Sequence, residues 1–208
     1  KTSKPGVAGS SGKPASGMPR PRPARPPALQ EILNTLRAQA PTGRKLIESW
    51  MSARGWTPWP FQTQAWDLHE AGRSGLIQVP TGAGKTYAAY LGILAGVIDE
   101  CLRSPHEAPV LPQGLRILYL TPLRSVSRDI ELALKAPVED LRLPMSIESR
   151  TGDTKASLRA KQRERLPNVL ITTPESLSLL LTRENVAELF APLQGVILDE
   201  WHELISSK

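Results

Sequence analysis

The residues Val79-Pro-Thr-Gly-Ala-Gly-Lys-Thr86 lie between a short apolar run, Gly75-Leu-Ile-Gln-Val79, and a helix-patterned stretch that begins near Gly84. Gly82 and Gly84 allow the backbone of Thr81, Gly82, Ala83 and Gly84 to turn its N–H groups inward around a polyphosphate. Lys85 reaches the outer phosphates, and the Thr86 hydroxyl is of the type that ligates Mg²⁺. Val79 stands where the general pattern has its first glycine. The reading is a phosphate-binding loop between a strand and a helix, and its ligand is a nucleoside triphosphate.

A second motif supports the first. Gly195-Val-Ile-Leu-Asp-Glu-Trp-His202 is an apolar strand closed by two carboxylates. Asp199 suits the water shell of a metal, and Glu200 suits the polarisation of an attacking water.

The chain has 208 residues, is 40% hydrophobic and holds no apolar run long enough to span a bilayer. Its one cysteine, Cys101, excludes an internal disulfide, closes an apolar helical stretch and reads as packing. A reducing cytoplasm is the expected setting. The formal net charge of +6 resides at the amino terminus: residues 1–27 hold six of the 26 Lys and Arg, no acid and seven of the 20 prolines. That segment is expected to be a disordered tail, and residues 28–208 balance cations against acids.

Leu29, Ile32, Leu33 and Leu36, then Leu46, Ile47, Trp50 and Met51, recur at helical spacing and predict two helices within 28–54. Beyond them, apolar runs at 76–79, 117–121, 145–148, 169–172 and 196–199 alternate with helix-length amphipathic segments. This predicts an α/β fold, a parallel sheet with helices on both faces, whose ligands sit at the carboxyl ends of the strands. At those ends stand Thr121-Pro122-Leu123-Arg124, Arg150-Thr-Gly152-Asp153-Thr154 and Thr172-Thr173-Pro174-Glu175-Ser176. They offer hydroxyls, backbone N–H groups or an arginine, with Thr173 as an N-cap and Pro174 as first helical residue. Each segment alone is also an ordinary turn or helix start. Together at successive strand ends they suggest a track for a sugar-phosphate backbone.

These residues resemble the superfamily 2 helicases over residues 55–208. Pro60-Phe-Gln62-Thr-Gln-Ala65 looks like the Q motif, 79–86 like motif I, 121–124 like motif Ia, and 150–154 and 172–176 like the later backbone-binding motifs. Asp199-Glu-Trp-His202 looks like a DExH form of motif II, and Trp201 with the 150–154 loop is most similar to the Lhr-type, ligase-associated group. The resemblance implies a RecA-like P-loop domain, ATP and Mg²⁺ as cofactors, and translocation 3′ to 5′ on single-stranded DNA. It also implies an adenine-reading role for Gln62 and a role for His202 in linking nucleotide state to nucleic-acid contact. Residues 55–208 would then be a first RecA-like domain cut after motif II, its second RecA-like partner domain missing. Two alternatives stay open: an RNA helicase, since backbone contacts do not name the sugar, and a nucleotide-dependent binding module without turnover. Trp50, Trp56, Trp59 and Trp66 flank Gln62; one of them, Trp56 foremost, can stack on adenine, while several fix the entering chain against the sheet. His69 and His106 read as surface or structural.

Overall fold

Parallel strands need crossovers, and the computed structural model, which describes residues 42–103, 113–122 and 127–206, supplies them as helices. The described elements are α1 (Gly43–Ala53), α2 (Pro60–Glu70), α3 (Lys85–Arg103), β1 (Ile117–Leu120), α4 (Ser127–Asp140), β2 (Ile147–Arg150), α5 (Ala156–Glu164), β3 (Val169–Thr172), α6 (Pro174–Leu181), α7 (Val186–Phe190), β4 (Gly195–Leu198) and α8 (Trp201–Ser206). The four strands form one parallel sheet in the order β2-β3-β1-β4. The expected α/β architecture is present. The tail, the first of the two expected N-terminal helices, His106, Leu123 and Arg124 lie outside the described residues.

Alternation along the strands builds two cores. Ile117 and Tyr119 of β1, Val169 and Ile171 of β3 and Ile197 of β4 face a layer made by α1 to α4. Leu118 and Leu170 point the other way, onto Leu180 of α6 with Leu177, Leu189 and Phe190 around it. Both faces of β1 and β3 are therefore buried, which is why these strands read as unbroken apolar runs rather than alternating ones. β4 is different: Ile197 is buried, while Val196 and Leu198 are exposed on its other face.

The sheet departs from expectation at its first strand. Residues 76–79 form no ladder among the described residues. Ile77 and Val79 are half-buried and Leu76 is 76% exposed, so one side of the segment packs while its backbone has no partner strand. Pro80 then removes a donor. The expected strand at 145–148 begins two residues later, because the Asn168 side chain accepts from Ser146 N at 3.0 Å and regular pairing starts only at Ile147 opposite Val169.

Two glycines set how closely the helices approach. A Cβ on Gly43 would sit 2.1 Å from the Ala95 carbonyl oxygen, so the start of α1 rests against the backbone of α3. There Gly43 N donates to Asp99 Oδ1 at 2.7 Å. A Cβ on Gly195 would meet the Ile93 side chain at 2.5 Å, so α3 crosses close over β4. This contact brings the first turn of α3, which carries Lys85 and Thr86, to the end of the strand that carries Asp199. Among the described residues no helix is long and apolar enough to cross a membrane.

Candidate functional site

Because the strands are parallel, the segments after β1, β2, β3 and β4 all emerge on one edge of the sheet. The loop 80–84 joins them through α3. Gly82 and Gly84 hold φ of +81° and +89°, conformations open to glycine at no steric cost. Thr81 and Gly82 are exposed, and Ala83, Gly84, Lys85 and Thr86 half-buried. Ala83 N donates to Pro80 O at 3.3 Å, and α3 starts at Lys85. A glycine-rich turn leading into the N-terminus of a helix is an arrangement whose backbone N–H groups and helix dipole suit an anion.

Gln62 is the brace of that loop. It is 3% exposed, its Oε1 accepts from Trp59 N at 2.9 Å, and its Nε2 donates to Gly84 O at 3.1 Å. Pro60 as the first residue of α2 positions it one turn in. An amide has two further hydrogen-bonding capacities, one N–H and one oxygen lone pair, which suffice for a base edge. A Cβ on Gly84 would meet Gln62 Nε2 at 2.7 Å, so any larger residue there would have to displace the Gln62 amide from its bond to this loop.

Asp199 leaves β4 with its N–H bonded to Leu120 O at 2.8 Å, which extends the ladder one residue past the strand. Its Oδ1 accepts from Glu200 N at 3.1 Å. Glu200 has φ +46°, a left-handed conformation that costs a residue with a Cβ, and strain of this kind collects at functional sites. The twist turns the Glu200 carboxylate toward the phosphate-loop side: Lys85 Nζ lies 3.8 Å from Glu200 Oε1. His202, exposed on the first turn of α8, places Nδ1 3.6 Å from Glu200 Oε2 and Nε2 3.6 Å from Glu203 Oε1.

On the opposite part of the edge, Gly152 and Asp153 are exposed at the tip of a turn. Thr154 Oγ1 pins that turn by accepting from Thr151 N at 2.8 Å. Thr173 is buried and caps α6 by accepting from Ser176 N, so its hydroxyl serves the helix. Pro174 is half-buried and Glu175 exposed beside it. Pro122 is half-buried after β1.

Sequence reasoning did not find the basic cluster next to the 150–154 turn. Arg150, Arg159, Arg163 and Arg183 lie close enough that burial and then the other three guanidiniums lower the pKa of Arg150. Arg159 Nη2 donates to the carbonyls of Thr151 (3.2 Å) and Gly152, and Arg183 Nη1 to that of Arg163. Arg159 and Arg163, with Thr154, line a shallow cavity of about 380 Å³. Arg159 and Arg163 stand one turn apart on α5, Arg150 ends β2, and Arg183 follows α6. Only the fold brings Arg150 and Arg183 to that pair.

Other residues have packing roles. Trp66 is buried with Nε1 bonded to Tyr87 O at 3.0 Å, and Trp50 is buried with Nε1 on Asp140 Oδ2 at 2.8 Å. Trp56, 41% exposed, lies edge-on to Trp50 and tilted over Tyr87. Burial pushes the Cys101 thiol up to about 11, which removes it from nucleophilic chemistry near neutrality. His69 is half-buried, and burial lowers its pKa.

The fold and the site together define a helicase-type nucleotide domain. The family model described as DEAD/DEAH box helicase matches residues 59–208, and the chain belongs to this family. Its Lhr-type resemblance is borne out among individual relatives. The ATP-dependent helicase Lhr-Core of Sulfolobus acidocaldarius is 37% identical over 155 residues, 72% of this chain and 17% of that protein. The structure of Mycobacterium smegmatis helicase Lhr bound to ssDNA and AMP-PNP matches with a TM-score of 0.61 at 35% identity over 76% of this chain and 20% of the other. The DUF1998 helicase MrfA bound to DNA and AMPPNP matches with a TM-score of 0.63 at 25% identity over 76% and 21% of the two chains. The chain thus spans about a fifth or less of the length of these relatives.

Proposed function

We propose that this chain is the ATP- and nucleic-acid-binding part of an ATP-dependent superfamily 2 helicase that translocates 3′ to 5′ on single-stranded DNA. One observation carries the reading: the Lys85 ammonium and the Glu200 carboxylate face each other across 3.8 Å, at the junction of an anion-binding loop and a strand ending in Asp199. Neither a turn nor a solvated pair of acids requires that meeting. In this reading Thr81, Gly82, Ala83 and Gly84 wrap the phosphates with backbone N–H groups, and Lys85 neutralises the outer ones. Glu200 orients the attacking water and accepts its proton, while His202 holds the other Glu200 oxygen. Gln62 reads adenine through its remaining amide capacity while bracing Gly84.

The donor set fits Mg²⁺, a hard cation that keeps most of its water and takes one or two protein oxygens. Thr86 supplies a hydroxyl and Asp199 a carboxylate, and the 80–86 loop and the 199–203 segment contain no cysteine or methionine. The bound ion would neutralise charge developing on the phosphates.

Nucleic acid is proposed for the rest of the edge. Pro122, Leu123 and Arg124, Gly152 and Asp153, and Thr173, Pro174 and Glu175 form the proposed track, with the basic cluster of Arg159, Arg163 and Arg183 alongside. DNA rather than RNA is favoured by the Lhr and MrfA relatives, both of which bind DNA in their structures. Residues 55–208 are proposed as one functional unit, with 28–54 as a helical prelude and 1–27 as a tail. The test is phosphate release by the protein that carries this chain, with single-stranded DNA, single-stranded RNA or neither. Stimulation by DNA supports the reading, stimulation by RNA alone transfers it to RNA, and nucleic-acid-independent turnover contradicts it.

A further inference from the structure

The turn after β2 has an exposed glycine, Gly152, at its tip, and glycine is the residue least able to fix its own backbone. Two sets of bonds fix it instead. The base of the turn is closed from within, where Thr151 N donates to Thr154 Oγ1 at 2.8 Å and Thr154 N donates to Thr151 O at 3.2 Å. The tip is held from outside. Arg159, in the first turn of α5, reaches back with a single amino group, and its Nη2 donates to Thr151 O at 3.2 Å and to Gly152 O. That amino group carries two hydrogens, one for each carbonyl. A trans peptide is planar, with its C=O and N–H on opposite sides. Because Thr151 O is drawn toward α5, the N–H of Gly152 points the other way, off the exposed tip. The following N–H, of Asp153, turns back to Thr151 Oγ1 at 3.4 Å.

We infer that Arg159 is a positioning residue for nucleic-acid binding: by holding the Thr151 and Gly152 carbonyls it aims the Gly152 N–H outward as a donor to one phosphate of a single strand, without itself touching that phosphate. The inference rests on the nucleic-acid reading above and goes beyond it, since it divides the arginines by task. Arg163, exposed one turn further along α5, donates no side-chain hydrogen bond to any described residue, so its guanidinium is left for a phosphate. Arg159 is spent on the turn. The Asp153 carboxylate is exposed at the same tip, and the arginines around the turn outnumber that single negative charge.

The experiment uses the protein that carries this chain, as the parent and as Arg159→Ala and Arg159→Lys. Phosphate release at saturating ATP is measured against the concentration of oligothymidylate, and binding of the same oligonucleotide is followed by fluorescence anisotropy across a salt series. The inference predicts that Arg159→Ala raises the DNA concentration for half-maximal stimulation roughly ten-fold, the scale of one hydrogen bond to a charged group. Turnover at saturating DNA stays within about two-fold of the parent. The slope of log affinity against log salt stays as in the parent, because a neutral N–H displaces no counterion. Arg159→Lys keeps the charge but loses the planar amino group that spans both carbonyls, so it does not restore the parent's response. Parent-like half-stimulation in either variant overturns the inference. So does a slope reduced by about 0.7 in Arg159→Ala, the mark of a guanidinium that neutralises a phosphate itself. Should Arg159→Ala melt far below the parent, Arg159→Lys decides alone, by the same shift in half-stimulation. A parent whose turnover does not respond to DNA removes the nucleic-acid reading itself and the inference with it.

Discussion

At the scale of single residues, Gln62 and Glu200 each carry a distinct chemical burden. Gln62 braces Gly84 and is proposed to read adenine, so Gln62→Ala is expected to weaken ATP binding and erase a preference for ATP over GTP, because guanine presents its donors and acceptors in the opposite order. A competition titration decides it, and a preserved preference removes the adenine role. Glu200 stands in a left-handed backbone conformation with its carboxylate toward Lys85. Glu200→Gln is expected to retain ATP binding and lose roughly 10²- to 10⁴-fold in turnover, the usual contribution of a general base; near-normal phosphate release would place the base elsewhere. The sequence showed these residues because their spacing follows from one local need, a tight anion-binding turn or a strand exit. It did not show Arg159 and Arg163 as part of a cluster, since arginines on an exposed helix read as a solvated face until the turn after β2 and the segment after α6 are brought beside them.

At the scale of elements, two contacts join helices far apart in sequence. Asp140 at the end of α4 accepts from Trp50 Nε1 at 2.8 Å and from Arg54 Nε at 2.9 Å, tying α4 to α1. The Trp50 indole bond and then Arg54 hold the Asp140 carboxyl below its ordinary value of 3.8. A group with a depressed folded pKa stabilises the fold above the unfolded value and loses that contribution as pH falls through the folded one. Asp140→Ala is therefore expected to lower the melting temperature at pH 7, at a cost of about 1–3 kcal/mol for the buried indole N–H left unpaired, and to matter progressively less below pH 3.8. Equal melting temperatures of parent and variant at neutral pH would show the clamp to be idle. Gly43→Ala tests the α1–α3 approach, since its Cβ would sit 2.1 Å from the Ala95 carbonyl oxygen. The helices must part, at about 1–3 kcal/mol, and an unaltered denaturation midpoint would contradict that packing. The strands at 117–120 and 169–172 were legible as apolar runs because both their faces are buried. The segment at 76–79 looked the same in sequence, yet composition cannot reveal whether a run finds a neighbour to pair with.

At the scale of the whole molecule, a parallel sheet collects four strand exits on one edge and divides the labour along it. The end near β4 carries the anion loop, Asp199 and Glu200, and the end near β2 carries the exposed 152–153 turn and the arginine cluster. If that cluster lies along nucleic acid, Arg163→Ala with Arg183→Ala should weaken binding of single-stranded DNA by a similar factor for unrelated base sequences. It should also reduce the slope of log affinity against log salt by about 1.4, since each phosphate contact on a single strand contributes about 0.7. A sequence-selective loss, or an unchanged slope, would deny it a backbone-binding role. The central claim concerns the other end, and calorimetric titration of Mg-ATP into the chain and into Lys85→Ala tests it most directly. Removing a charge-assisted hydrogen bond to phosphate, worth about 1.5–3 kcal/mol, should weaken binding roughly 10- to 100-fold with the fold intact by circular dichroism. Equal affinity of the two proteins would contradict the assignment of residues 79–86 as the phosphate-binding loop.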